Sequence, residues 1–237
     1  VPSEARPLID AITNHLARLV HMLQARRRFL ADAAHQIRTP LAVLGTQADY
    51  GVRQLDPEEM RRTFAGMQAS IRGTRHLANQ MLTLARAEQA EHLLQDRQTL
   101  DFAELVREVA GDFALLAVHK GIDLAFDDGG RTARLSGNAT MLRAAVSNLI
   151  DNALRYTPAG GHVTLALRKD AGQLRLTVCD DGPGIAPEER EAVFKRFYRV
   201  LGNRDSEGSG LGLCIVREIV LAHGGAVQLS DAPGGHG

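Results

Sequence analysis

The chain has 237 residues, with 28 Lys and Arg against 28 Asp and Glu, so no net field draws it toward nucleic acid or an anionic membrane. Hydrophobic residues make up 44% but aromatics only 4%, with no Trp, which favours helices packed through Leu, Ala, Ile and Val over an aromatic-rich β-sandwich. The two cysteines, Cys179 and Cys214, sit in apolar runs without metal-ligand spacing and read as buried free thiols of a reducing compartment. No run nears the ~20 apolar residues of a membrane span and no signal peptide is recognisable, so the stretch reads as soluble.

From about Glu4 to Gln54 there are few helix breakers apart from Pro7, Pro40 and Gly45. Leu16, Leu19, Leu23, Leu30, Ile37, Leu41 and Leu44 recur at spacings that mark one helix face. Asp56-Pro57-Glu58-Glu59 reads as the next helix start: Asp at the cap, Pro first, acids in the first turn. That helix carries Met60, Phe64, Met67, Ile71, Leu77, Met81 and Leu84 and ends near Glu91. Two long amphipathic helices with a short loop make an antiparallel hairpin. Its stripes are long enough to pair two hairpins into a four-helix bundle, a homodimer, the alternative being a hairpin packed on its own C-terminal domain.

Composition changes near Gln95, where a short linker is expected. A helix follows over Phe102 to His119, a strand over Gly121 to Asp127, another over Thr132 to Leu135, and a helix over Ala139 to Tyr156. The alternating runs Val163 to Leu167 and Leu174 to Val178 flank a polar Lys169-Asp170-Ala171-Gly172 turn, as in a hairpin. Gly210 to His223 is helical and Ala226 to Leu229 a strand. The expected fold is multidomain: an all-α hairpin, then an α+β sandwich with a mixed sheet and helices on one face.

Asp32, His35 and Thr39 lie three and four apart and share a helix face, an imidazole beside a hydroxyl. Pro40 removes a helical donor and is expected to bend the helix just beyond His35. Farther on, Asn148 and Asn152 share a helix face whose side-chain oxygens can coordinate a magnesium ion held by phosphates. Gly208, Gly210 and Gly212 lead into a helix, so free backbone N–H groups can meet phosphate. The polar segment between Arg199 and Gly208 reads as a flexible lid.

The blocks His35-Gln36-Ile37-Arg38-Thr39-Pro40, Asn148-Leu149-Ile150-Asp151-Asn152, Asp180-Asp181-Gly182-Pro183-Gly184, Phe194 to Arg199, and Gly208-Ser209-Gly210-Leu211-Gly212-Leu213 occur in that order. Together they resemble a bacterial sensor histidine kinase of the two-component type over nearly the whole chain. The resemblance implies a membrane-proximal connector over residues 1–25, a dimerisation and phosphotransfer domain over 26–94, and over 95–237 an ATP-binding domain of the fold shared with Hsp90, gyrase B and MutL. It implies that His35 takes the γ-phosphoryl of ATP and passes it to an aspartate of a response regulator, and that Thr39 serves the regulator's dephosphorylation. Asn152 resembles the magnesium ligand, Asn148 its neighbour at the phosphates, Arg155 a basic phosphate contact, and Tyr156 a residue stacking on the base. Asp180 resembles the acceptor for the adenine amino group, with Gly182 and Gly184 letting backbone approach the base; Ile185, Arg199, Leu211 and Leu213 complete the binding set.

One position departs from the family. The residue after the histidine is usually Glu or Asp, whereas Gln36 can accept a hydrogen bond but cannot act as a base near neutral pH. This wording of the box resembles a subgroup that includes tricarboxylate-type sensors. It leaves a nucleotide-gated phosphatase or scaffold with a feeble kinase step as an alternative; the histidine box argues against an ATPase machine of the Hsp90 or MutL kind. Arg6 to Asp10 and Arg26-Arg27-Arg28 resemble the segment joining a membrane-proximal helix to the acceptor helix. The family adds one more strand after Gly237. The expectation is therefore a cytoplasmic fragment of a bacterial inner-membrane receptor.

Overall fold

The computed structural model describes residues 6–88, 96–130, 132–170, 172–200 and 208–231. The chain divides after Ala78 into two compact units.

In the first unit α1 (Arg6–Arg53) runs 48 residues with Pro40 inside it. Because Pro40 has no N–H, the Gln36 carbonyl loses its partner one turn on. Beside it, the Thr39 hydroxyl donates to the His35 carbonyl at 3.3 Å. At α2 (Pro57–Ala87) the Asp56 carboxylate accepts the Glu58 N–H at 3.0 Å, and Glu58 and Glu59 occupy the first turn, as the Asp-Pro-Glu-Glu sequence predicts. The helices run antiparallel: Ser70 donates to Gln47 at 3.4 Å, and Gly51 faces the Thr63 methyl. In a single copy the stripe lies open, with Leu23 60% and Leu30 59% exposed and Leu16, Leu41 and Phe64 also exposed. The expected end of α2 near Glu91 and the linker at Gln95 lie outside the described residues. Among the described residues no helix is long and apolar enough to cross a membrane.

The second unit holds the last turns of α2 and everything after. β1 (Gln98–Asp101) pairs antiparallel with β3 (Arg134–Gly137) in a two-stranded sheet. Asp101 ends β1 and caps α3 (Phe102–Lys120): its Oδ1 accepts the N–H of Ala103 at 3.0 Å and of Ala133 at 3.2 Å. That double duty corrects two expectations. β1 falls where a plain linker is expected, and β3 begins at Arg134 and not Thr132, because Ala133 is held by Asp101 and the ladder starts one residue later. Gly121, expected to open a strand, caps α3 in the left-handed region at φ 68°, so β2 (Asp123–Asp127) starts two residues on.

The second sheet runs β2, β4 (His162–Asp170), β5 (Gln173–Asp180), with β2 parallel and β5 antiparallel to β4. It is the expected mixed sheet. β4 buries Val163, Leu165 and Leu167 and exposes His162 and Thr164, so one face meets the helices and the other meets water. The core beneath it joins Leu105, Val106 and Val109 of α3 to Val146, Ile150 and Leu154 of α4 (Ala139–Tyr156). Against α4 packs α5 (Gly212–Ala222), where Ile215 and Ile219 are fully buried.

His223 ends α5 and ties it back to α4. Its Nδ1 donates to the Ile219 carbonyl at 2.7 Å, and its Nε2 accepts the N–H of Asn138 at 3.1 Å. Residues 226–229 form no strand, correcting the expectation. Val227 and Leu229 are half-buried between exposed neighbours, so the alternation is real, but no ladder partner lies beside them among the described residues.

Candidate functional site

On α1, His35, Gln36, Asp32 and Thr39 are all exposed, while Ala33 on the adjoining face is buried. The His35 ring makes no hydrogen bond with a described residue, so neither Gln36 nor Asp32 orients it in this structure.

The second unit gathers three segments. α4 supplies Asn148, Asn152, Arg155 and Tyr156, all half-buried along one face. Asn152 makes no hydrogen bond with a described residue. Arg155 is steadied by Asp151, one turn back, at 2.8 Å. Asn148 is engaged at both ends of its amide: Nδ2 donates to the Ala144 carbonyl at 2.8 Å and Oδ1 accepts from Gln80 at 2.9 Å.

The second segment is the turn after β5. Asp180 Oδ1 accepts the Gly182 N–H at 2.9 Å. Burial pushes the Asp180 carboxyl up from its ordinary value, the Gly182 bond opposes this, and the charge of Asp181 adds to it. Gly182 has no room for a side chain: a Cβ there would fall 2.5 Å from Asp180 Oδ1 and 3.3 Å from the Tyr156 carbonyl oxygen. The turn thus presses against the end of α4. Gly184 follows in the left-handed region at φ 70°, and Ile185 is half-buried with its carbonyl accepting from Arg190 at 3.2 Å.

The third segment is the glycine turn before α5. Gly210, at φ 68°, lies where a Cβ would meet the Phe197 carbonyl carbon at 2.7 Å and the Tyr198 oxygen at 2.8 Å. Its own carbonyl accepts the Phe197 N–H at 2.9 Å. Positions facing the other segments are equally close: a Cβ on Gly212 would lie 3.3 Å from Asn148 Oδ1, and one on Gly208 would lie 3.6 Å from Arg155 Nη1. Leu211 is fully buried and Leu213 half-buried. No side chain among the described residues caps α5, and the N–H of Leu211, just before its first residue, is accepted by the Ser209 hydroxyl at 3.1 Å. Arg199 is half-buried, and the segment read as a lid falls on residues 201–207, outside the described residues.

The predicted nucleotide residues therefore converge within one unit, from three segments. Their chemistry fits a magnesium-bound nucleoside triphosphate: an unshared carboxamide at Asn152, an arginine held in place, uncapped helix N–H groups, and a half-buried carboxylate beside a backbone cradle. Three residues with a place in this arrangement were not singled out by the sequence. Asp151 steadies Arg155, Ser209 bonds the Gln80 amide oxygen at 2.6 Å, and Gln80 reaches Asn148. Gln80 did leave a signal, a polar residue set into the apolar stripe between Leu77 and Leu84.

Two family models match: the His Kinase A phospho-acceptor domain over residues 25–90, and the histidine kinase-, DNA gyrase B- and HSP90-like ATPase over residues 137–237. Among solved structures, that of the mycobacterial sensor histidine kinase MprB is 34% identical, with 58% of this chain and 87% of that one covered and a TM-score of 0.51. The chain belongs to the sensor histidine kinase family. Another member, the sensor protein kinase PmrB of Pseudomonas aeruginosa, is 41% identical over all of this chain and 49% of its own length. The histidine kinase ThkA, solved in complex with the response regulator TrrA, is 21% identical and shares the fold, with a TM-score of 0.64 over 98% of this chain and 61% of that one. The chain spans about half the length of the curated family members it matches.

Proposed function

We propose that this chain is the catalytic portion of an ATP-dependent protein histidine kinase, with residues 26–94 as the dimerisation and phosphoacceptor domain and 95–237 as the nucleotide domain. What carries the reading is the convergence of Asn148, Asn152, Arg155, Asp180 and the glycine turn in one unit, on a chain whose other unit presents His35 to solvent. Asp180 accepts the adenine amino group, and Gly182 and Gly184 bring backbone against the base. Tyr156 stacks on it, with Ile185 beside it. Asn152 supplies an oxygen to magnesium, which when bound screens phosphate charge. Arg155, Arg199 and the N–H groups from Leu211 to Leu213 neutralise phosphate oxygens.

A ring nitrogen of His35 then attacks the γ-phosphorus. The new N–P bond forms as the bond to the ADP oxygen breaks, and the other ring nitrogen gives its proton to solvent. The phosphoryl group passes on to an aspartate of a response regulator, and the shared fold with ThkA, solved with such a partner, supports that route. Thr39 places a hydroxyl one turn from His35 for the reverse reaction, dephosphorylation of the regulator. The open apolar stripes of α1 and α2 support a homodimer built as a four-helix bundle. The greater length of the curated relatives, named as sensor proteins, supports a parent receptor in the inner membrane with this portion in the cytoplasm.

A second reading rests on the unoriented His35 ring: with Gln36 unable to take a proton, phosphatase action under nucleotide control is the main activity. Incubation with γ-labelled ATP separates the two. The kinase reading expects an acid-labile, base-stable label that His35→Gln abolishes. An unlabelled chain that still binds ATP and dephosphorylates a regulator establishes the second.

A further inference from the structure

Among the described residues the buried polar side chains are Gln80, Asn138 and Thr157. Two of them close helix ends. Asn138 accepts the Met141 N–H at 3.0 Å at the start of α4, and Thr157 donates to the Ala153 carbonyl at 2.8 Å at its end. Gln80 caps nothing. It sits seven residues inside α2, 7% exposed, and both ends of its amide are bonded to residues far away in the chain. Its Nε2 donates to Asn148 Oδ1 at 2.9 Å, and its Oε1 accepts from the Ser209 hydroxyl at 2.6 Å. Burying a primary amide without partners is costly, so these two bonds are what let Gln80 lie there.

Its partners are the two edges of the phosphate side of the proposed nucleotide site. Asn148 lies beside Asn152 on α4, and Ser209 lies between Gly208 and Gly210. Ser209 is used twice: while donating to Gln80, its oxygen accepts the Leu211 N–H at 3.1 Å. An N–H at the mouth of α5, of the kind that meets phosphate, is thus occupied from within the protein. The contact extends along α2. Leu84, one turn on from Gln80, is fully buried, and Glu88, two turns on, pairs with Arg196. Gln80, Leu84 and Glu88 at i, i+4 and i+8 line one helix face.

We propose that Gln80 is an internal competitor of nucleotide: its amide clasps Asn148 to Ser209, and the magnesium-bound triphosphate must release it to gain the Asn148 oxygen for the metal and the Leu211 N–H for phosphate. Nucleotide binding and detachment of the last turns of α2 are then linked, each favouring the other by the same factor. This rests on the nucleotide reading above.

Gln80→Leu keeps the volume and removes both bonds. On the 237-residue chain, titrated with Mg-ATP in a calorimeter, it is expected to bind about tenfold tighter than the parent, the combined effect of two ordinary hydrogen bonds. Ser209→Ala, which leaves α2 untouched, should tighten binding by a smaller factor. In the unaltered chain Mg-ATP should speed hydrogen exchange at amides 80–88, a response that a purely structural glutamine would not give. Equal or weaker affinity in both variants, with exchange at 80–88 unchanged or slowed, overturns the clasp while leaving the nucleotide site standing. Failure of parent and variants alike to bind Mg-ATP overturns the nucleotide reading itself, and the clasp with it.

Discussion

The hairpin and the nucleotide unit use polar side chains in opposite ways. In α1 the group around His35 is exposed, and the side-chain hydrogen bond it makes among the described residues stays within the helix, from Thr39 to the His35 carbonyl. In the second unit Asn148, Asn152, Arg155 and Asp180 are half-buried, and Asn148 is held by a partner far along the chain. Gln80 and Asn148 are 68 residues apart, Gln80 and Ser209 129. A phosphoryl acceptor has to be reached by other molecules, so local helix spacing suffices to make it. A pocket has to be assembled and kept partly dry, so it depends on the whole fold. Substitutions in the hairpin should therefore change chemistry and spare stability, whereas in the nucleotide unit the two move together.

Asn152→Ala tests the boundary of that rule, since the side chain is half-buried but bonded to no described residue. It is expected to weaken Mg-ATP binding by at least about a hundredfold, two or more charge-assisted contacts' worth, while the melting temperature holds. A calorimetric titration beside a thermal melt checks both halves. A large drop in melting temperature would show that Asn152 is structural.

The glycines give the sharpest contrast. Gly210→Ala sets a Cβ against the Phe197 and Tyr198 backbone at a positive φ and should destabilise the chain by about 2–3 kcal/mol. Gly73→Ala, on α2 with nothing within 4 Å, should stabilise it by up to about 1 kcal/mol. Urea melts that move both variants the same way would break the comparison.

Asp180 links the site to pH. Its carboxyl is raised by burial, so it takes up a proton at a higher pH than an ordinary aspartate near 3.9, and in the proposed site it is the ionised form that accepts the adenine amino group. Mg-ATP affinity should fall on acidification with a midpoint above that value, by up to about tenfold per pH unit. In Asp180→Asn the slope should vanish and affinity at neutral pH drop by roughly tenfold. The sign for stability is reversed: an ionised carboxylate with a raised pKa is a burden on the free fold, lifted as pH falls, so Asp180→Asn should melt slightly higher at pH 7. Titrations between pH 5 and 8 on both chains test the pair of signs.

In the hairpin the expected change is one of rate. Gln36→Glu supplies a carboxylate that can orient the His35 ring and take its proton. Labelling by γ-labelled ATP should speed up by roughly tenfold, below the usual range of general-base help because transfer also needs positioning. Unchanged rates for Glu and Ala at this position would take Gln36 out of the mechanism.

Much of this was legible in the sequence, and the exceptions share a cause. The spacing of Leu16 through Leu44 and of Met60 through Leu84 placed both hairpin helices, and the helix read over Ala139 to Tyr156 has those bounds in the structure. β1 was missed because Gln98 to Asp101 holds a single apolar residue, Leu100. Pairing with β3 makes it a strand, and nothing local does. Residues 226–229 were overread for the opposite reason: local alternation is present, and no partner strand lies beside them among the described residues. At the site, the glycine and asparagine blocks were readable as wording. Gln80 was not, because its meaning lies in two residues that come 68 and 129 positions later.

The seam at His223 carries a consequence of its own. Its ring donates from Nδ1 and accepts at Nε2, so only the neutral imidazole with its proton on Nδ1 satisfies both the Ile219 carbonyl and the Asn138 N–H. A side chain that could only donate or only accept would leave one of these two backbone groups without its partner. The docking of α5's trailing end on α4 is thus fastened by one ring as well as by packing.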